Sequence, residues 1–462
     1  MSETRLFAPQ ALLSTDWADD VMFEIDGDGF LTGVTPGSDP VDAPRAVGPV
    51  VPGMPNLHSH AFQRAMAGLA ERAGPGKDSF WTWREVMYGF LARLNPDQVE
   101  AIAAALYMEM LKAGYTAVGE FHYLHHGPDG RPYDNLAEMS ERIFAAAGAT
   151  GIGLTHLPVL YGYGGFGGQA AGEGQRRFLN DPDRYLNLLN KVADKVHQSH
   201  QVNFGIAPHS LRAVTEESLG KVLEGLEAIA PSAPIHIHIA EQTKEVADCQ
   251  AWSGQRPVDW LLSHVNVGPR WCLVHATHLS DEETLSLAQS RAVAGLCPTT
   301  EANLGDGIFP APAFYEAGGL WGIGSDSHIS VSPVEELRWF EYGQRLISRQ
   351  RNVLVSEAES SVGAGLYRVA LSGGAQALGR PIGRLAEGAR ADLLVLDPDN
   401  RSLMGKAGDL ILDAMVFAGN DNPVRDVMVG GVWCVESGHH AKEDEISNRY
   451  GEVLKALLDG EP

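Results

Sequence analysis

The residues of this sequence best suited to chemistry are histidines and carboxylates at short spacings. His58 and His60, in NLHSHAF, lie two apart. On a strand that spacing puts both imidazoles on one face, where both can ligate one ion. His-x-His alone is a weak signal, because strand histidines are often packed or surface residues. His238 in PIHIHIAEQ and Asp326 in GIGSDSH strengthen it. Three imidazoles and a carboxylate, with a position open for water, suit one divalent ion per chain: zinc first, with iron or manganese as N/O-site alternatives. Alone, Asp326 would be better read as an N-cap. His236 shares a face with His238. The one nearer the strand's end reaches the mouth of a barrel, so His238 is taken as the ligand and His236 as a lower-layer residue, with the reverse left open.

Hydrolysis also needs proton transfer. Glu241, three residues past His238, is placed to take a proton from water and pass it to a substrate nitrogen; the plainer reading has it only orienting His238. His275, ending LVHATH, can polarise the bond under attack or stabilise developing charge, or serve structurally. His278 reads as a loop residue.

These groups lie far apart in the chain, so the fold must gather them. Short apolar runs alternate with helical stretches in the middle: VVPGMPNLHSH, YTAVGEFHY, GIGLTHLPVL, VNFGIAPHS, PIHIHIAEQ, WCLVHATH, AVAGLCPTT and WGIGSDSH. Between them lie segments such as PDQVEAIAAALYMEMLKAG, with apolar residues at helical spacing and Gly114 as C-cap. Eight strands alternating with helices predict an α/β fold, a (β/α)8 TIM barrel over 51–379, with polar residues at the C-terminal strand ends. An open doubly wound sheet would want a glycine-rich phosphate loop after its first strand, and here that strand ends in NLHSHAF. GYGGFGGQAAGEG, 162–174, is read as a mobile loop over the mouth. VMFEIDGDGFLTGV signals a hairpin, and ADLLVLDPDN and VRDVMVGGVWCVESG are also β-rich. Segments 1–50 and 380–440 are expected to form one small β-sandwich domain, with a C-terminal helix over 441–462.

Composition narrows the partners. The 462 residues carry a formal net charge of −24. An acidic surface repels phosphate backbones, which argues against nucleic acid, and an anionic substrate would need arginines near the site. The apolar runs are broken well short of the ~18 residues of a membrane span. Cys249, Cys272, Cys297 and Cys434 are scattered, which suits a reducing cytosol, and no signal peptide is read in MSETRLFAPQALL.

Together these motifs resemble the amidohydrolase superfamily: PGMPNLHSH at the first strand, HIAEQ at the fifth, VHATH at the sixth, CPTTEANLGDG at the seventh, GSDSH at the eighth, and GRLAEGARADLLVLD at the return to the small domain. The H-x-x-E spacing is similar to that of the branch that deaminates amidine-like groups with one metal. Within it, NLHSHAFQRAMAG, FWTWREVMY, GEFHYLHH, GIAPHSLRAV and CPTTEANLGDGIFPA resemble the formimidoylglutamate deiminases of histidine degradation over nearly the whole chain, with no departure at a catalytic position.

That resemblance implies hydrolysis of N-formimino-L-glutamate to N-formyl-L-glutamate and ammonia, with Gln63, Arg84, Tyr123, His209 and Arg212 binding a small dianionic substrate. Without it, the two arginines would pass for surface residues. It also implies that Asp326 accepts a proton from the attacking water while Glu241 protonates the imino nitrogen and His275 assists, and that the protein is a cytoplasmic homodimer. Two rivals are a guanine or adenosine-like deaminase, which would want aromatic walls and amide partners, and a structural protein on the same fold, which would have broken ligands.

Overall fold

Eight parallel strands take up the apolar runs of the middle of the chain. In the computed structural model, which describes residues 4–14, 16–40, 43–72, 76, 78–196, 200–356 and 359–459, they are β1 (Met54–Ser59), β2 (Tyr115–His122), β3 (Gly153–Leu160), β4 (Val202–Phe204), β5 (Ile235–Ile239), β6 (Trp271–His275), β7 (Val293–Leu296) and β8 (Leu320–Ile323). Every residue of β1, β2 and β3 is buried, as parallel strands covered on both faces must be. β1 to β4 form one parallel ladder and β5 to β8 another. Bridges Ile206↔Ile235 and Ser210↔His238 join the ladders on one side, and Ser59↔Asp326 closes the ring on the other.

Two predicted strands come out differently. VVPGMPNLHSH is two strands: Val50–Pro52 joins the small sheet, and β1 begins after Gly53. A β-carbon at Gly53 would collide with Thr116, so only glycine lets the chain cross there. VNFGIAPHS breaks at Gly205, where a β-carbon would strike the Pro234 carbonyl, and Ala207–Pro208 pairs on with β3.

The helix predicted after β1 runs Pro96–Ala113. The Asn95 side chain accepts from Gln98 N, and Gly114 closes the helix at φ +103°, a left-handed conformation that favours glycine. Helix Glu443–Asp459 packs against it.

The chain ends meet in one eight-stranded sheet. Thr4–Leu12, Trp17–Ile25 and Leu31–Thr35 come from the N-terminal segment; Leu393–Leu396, Val424–Val429, Val432–Glu436 and His439–His440 come from the C-terminal segment; Val50–Pro52 sits between the two groups. The predicted hairpin is present, with Asp26 Oδ1 accepting from Asp28 N and Phe30 N. Leu6, Val21, Phe23, Leu393 and Met428 form its buried core. In the 162–174 loop, Phe166 is buried and stacks on Trp252 at 5.6 Å between centroids.

Candidate active site

The barrel is closed by the backbone of the predicted ligands themselves. Asp326 N donates to His58 O at 3.1 Å, and His60 N donates to Asp326 O at 3.2 Å. Gly324 permits this approach, since a β-carbon there would lie 2.7 Å from His58 Cβ and 2.9 Å from its backbone N and O. Asp326, His275 and His328 hold left-handed φ values of 44°, 68° and 60°. Non-glycine residues occupy that region only when their surroundings over-determine it, and the strand-end hydrogen bonds do so here.

The side chains converge accordingly. His58, His60, His238 and Asp326 are buried, and their ligand atoms all lie within 4.8 Å of one another. Asp326 Oδ1 is 3.3 Å from His58 Nε2 and 3.2 Å from His60 Nε2, while His238 Nε2 and His58 Nε2 lie 3.0 Å apart. Burial lowers the pKa of all three histidines, that of His58 to about 3, so they are neutral near pH 7. His60 Nδ1 lies 2.8 Å from Phe121 O, which assigns its proton to Nδ1 and leaves Nε2 a bare lone pair. Neutral imidazole nitrogens pointing at one another beside a carboxylate are the donor set of a divalent cation. His236 stands apart, with Nε2 2.8 Å from Ala377 O, so His238 is the member of the pair in the cluster.

Behind the ligands runs a buried chain that the sequence reading did not single out. Ser59 Oγ donates to Glu120 Oε2 at 2.6 Å, and Glu120 also accepts from Ala61 N and the Tyr107 hydroxyl. His60 N donates to His328 Nε2, and His328 Nδ1 lies 2.9 Å from Ser325 Oγ. These bonds hold the histidine pair in place.

Glu241 and His275 face the same space, with Glu241 Oε1 and Asp326 Oδ2 each 3.9 Å from His275 Nε2. Burial pushes the Glu241 carboxyl up to about 7. For His275, burial lowers the pKa, but Glu241, the hydrogen bond to Glu301 and Asp326 outweigh it and raise it to about 10. Glu301 Oε1 lies 3.2 Å from His275 Nδ1 and accepts from Cys297 N. Its place in CPTTE, four residues past the strand-end cysteine, was the available signal.

All five residues expected to bind substrate line one cavity with these groups. The space between them, open mouth included, is about 570 Å³. Gln63 Nε2 donates to Tyr123 Oη, leaving Gln63 Oε1 buried with no partner. Arg84 and Arg212 also have buried, unpartnered Nε atoms. Among the described residues neither arginine has a carboxylate within ion-pair distance; both guanidinium groups lie over Trp81, at 4.6 and 5.8 Å. The sequence reading missed the aromatic wall of Trp83, Tyr88, Tyr161 and Phe178. Aromatic walls are what a purine site would also offer, so they do not discriminate between the two readings.

Residues 50–434 match the Amidohydrolase family. The chain belongs to that family. This amidohydrolase is 58% identical over 454 residues to the formimidoylglutamate deiminase of Pseudomonas aeruginosa, covering 98% of this chain and 99% of the relative. The crystal structure of an amidohydrolase from Brucella melitensis, 51% identical, superposes with a TM-score of 0.93 over 98% of this chain and 100% of that one. An adenosine deaminase from Xanthomonas campestris crystallised with zinc shares the fold at 20% identity and a TM-score of 0.80, covering 99% and 98% of the two chains. The amidohydrolase barrel is thus the fold that the alternating runs predicted. Among the described residues no helix is long and apolar enough to cross a membrane.

Proposed function

We propose that this chain hydrolyses N-formimino-L-glutamate to N-formyl-L-glutamate and ammonia, the deiminase step of histidine degradation. One observation carries the reading: Arg84 and Arg212, without carboxylate partners, stand in the wall of the cavity that holds the ligand cluster. Arg212 is buried and Arg84 half-buried, neither makes an ion pair among the described residues, and a dicarboxylate would give both strong bidentate contacts. The identity to the Pseudomonas aeruginosa deiminase supports the same substrate.

His58, His60, His238 and Asp326 would hold one divalent ion, zinc by its donor set. When bound, such an ion polarises the carbon–nitrogen bond and lowers the pKa of water. The chain's own residues supply the rest. Arg84 and Arg212 each take one carboxylate, fixing the molecule by its tail. Gln63 Oε1 accepts from an amidine N–H, with His209 and Tyr123 completing the wall. Asp326 accepts a proton as water attacks the formimino carbon. Glu241, poised near neutral pH, protonates the departing nitrogen. His275, held charged by Glu241, Glu301 and Asp326, stabilises charge at the reacting centre. Ammonia leaves from a tetrahedral intermediate.

In this reading the barrel spans 51–379, the small domain 1–50 with 380–440, and a C-terminal helix 441–462. Four free cysteines support a cytoplasmic location. Exposed Trp339, Leu346 and Ile347 on helix Pro333–Ser348 support a homodimer. The test is ammonia release by the purified, metal-loaded protein from N-formimino-L-glutamate, guanine and adenosine in parallel. Turnover of the first alone is expected; preference for either purine overturns the reading.

A further inference from the structure

Arg84 and Arg212 border more than the catalytic cavity. A second, open chamber of about 1180 Å³ lies on their other side, and both residues line the two spaces. The remaining charged residues of this chamber are Lys244 and Asp248. They form an i,i+4 ion pair at 2.5 Å, with side chains 59% and 44% exposed, and such a pair is weak in water. Trp81 also lines the chamber. The Arg84, Arg212 and Lys244 cations lie 4.6, 5.8 and 5.7 Å from its indole ring. Among the lining residues three cations stand against one carboxylate, with the buried carboxylates of Glu245 and Glu241 acting on Arg212 from behind the wall, in a chain whose net charge is −24. The side chain of Arg212 is nine-tenths buried, and its Nε has no partner.

We propose that the chamber is an encounter subsite for dicarboxylates, where the substrate's carboxylates meet Lys244 and the outer sides of the two arginines before the formimino head passes inward. This rests on the substrate reading above. A dianion approaching this protein is repelled over most of the surface, so a local positive funnel sets its rate of capture. Only charges within about 10 Å act at ~0.1 M salt, and the three cations share one indole. Trp81 is a positioning residue: its face gives each cation a favourable neighbour and sets the two arginines side by side at the boundary between the chambers. Lys244 touches neither the ligand cluster nor Glu241 and His275, so its effect falls on capture rather than on the chemical step.

The experiment uses the metal-loaded full chain with Lys244→Met, Lys244→Glu and Lys244→Arg. At low ionic strength Lys244→Met should lower kcat/KM for N-formimino-L-glutamate about 3- to 10-fold, and Lys244→Glu further, with the loss in KM. Lys244→Arg should restore it, and the differences should vanish near ~1 M salt, where the Debye length is about 3 Å. A neutral N-alkylformamidine should be handled equally by all four proteins. Trp81→Leu should raise KM, and Trp81→Phe should recover part of the loss. Calorimetric binding of glutarate separates this proposal from the substrate reading. If the parent does not turn over N-formimino-L-glutamate, the substrate reading fails, and glutarate affinity still decides the chamber: weaker binding by Lys244→Glu at low salt supports it. Equal glutarate affinity and equal salt dependence in Lys244→Glu and the parent overturn it.

Discussion

Replacing Arg212 by methionine separates binding from folding. Arg212 is 9% exposed and makes no ion pair among the described residues, but its charge acts on the buried carboxylates of Glu245 and Glu241. Its loss should therefore lower Tm modestly without unfolding the barrel. Binding should suffer, because a charge-assisted hydrogen bond contributes about 1.5–3 kcal/mol, or roughly 10- to 150-fold in kcat/KM. Arg84→Met should behave alike. If each arginine takes its own carboxylate, the double variant should lose about 10²- to 10⁴-fold, less whatever the shared Trp81 face couples. Lysine at either position should recover only part of the loss, since it lacks the planar fork. The assay is kcat/KM for N-formimino-L-glutamate, with metal content and Tm on the same preparations. Parent-like kcat/KM in either variant removes that arginine from the site; in both, it reopens the purine reading. A collapse of Tm would show the arginine to be structural.

Other substitutions test other parts of the site. Glu241→Gln should keep the ion and lower kcat at least ~100-fold; nearly full turnover with metal bound would reduce Glu241 to a supporting role. Gly324→Ala should force β8 away from His58, costing about 1–3 kcal/mol and weakening metal retention against a chelator; unchanged Tm and retention would contradict the packing argument. His122, His125 and His156 are buried and their pKa values lie below 6.5, that of His122 at about 4, with burial the main cause. A histidine whose folded pKa is depressed destabilises the fold as pH drops below its unfolded value, so stability should be full above about 6.5 and decline toward 4, by about 2 kcal/mol per histidine at about pH 5. His156→Gln should shrink that loss by one histidine's share in urea unfolding, and an unchanged pH slope would refute it.

The barrel was legible because parallel strands are apolar throughout and their flanking helices carry a different period. The cluster of candidate ligands was legible because its members sit at strand ends, where spacing along the chain translates directly into position: His58 with His60, and His238 rather than His236. What closes the ring was not legible. The backbone pairing of Asp326 with His58 and His60 depends on the approach that Gly324 allows, and no local pattern encodes that distance. Glu301, Glu120 and His328 escaped because a buried carboxylate or imidazole looks like any other until a partner is placed, and Ser59 lies 61 residues from Glu120 and His60 268 from His328. The same holds for Gly53, which read as the interior of a strand and is a crossing between two sheets.

The central claim is which carbon–nitrogen bond breaks and in what molecule. The most direct measurement follows the formimino carbon of N-formimino-L-glutamate by NMR during turnover by the metal-loaded protein, with ammonia measured alongside. The account predicts N-formyl-L-glutamate and ammonia in equal amounts, and neither from His238→Ala. Formamide and glutamate, the products of breaking the other bond, would contradict it.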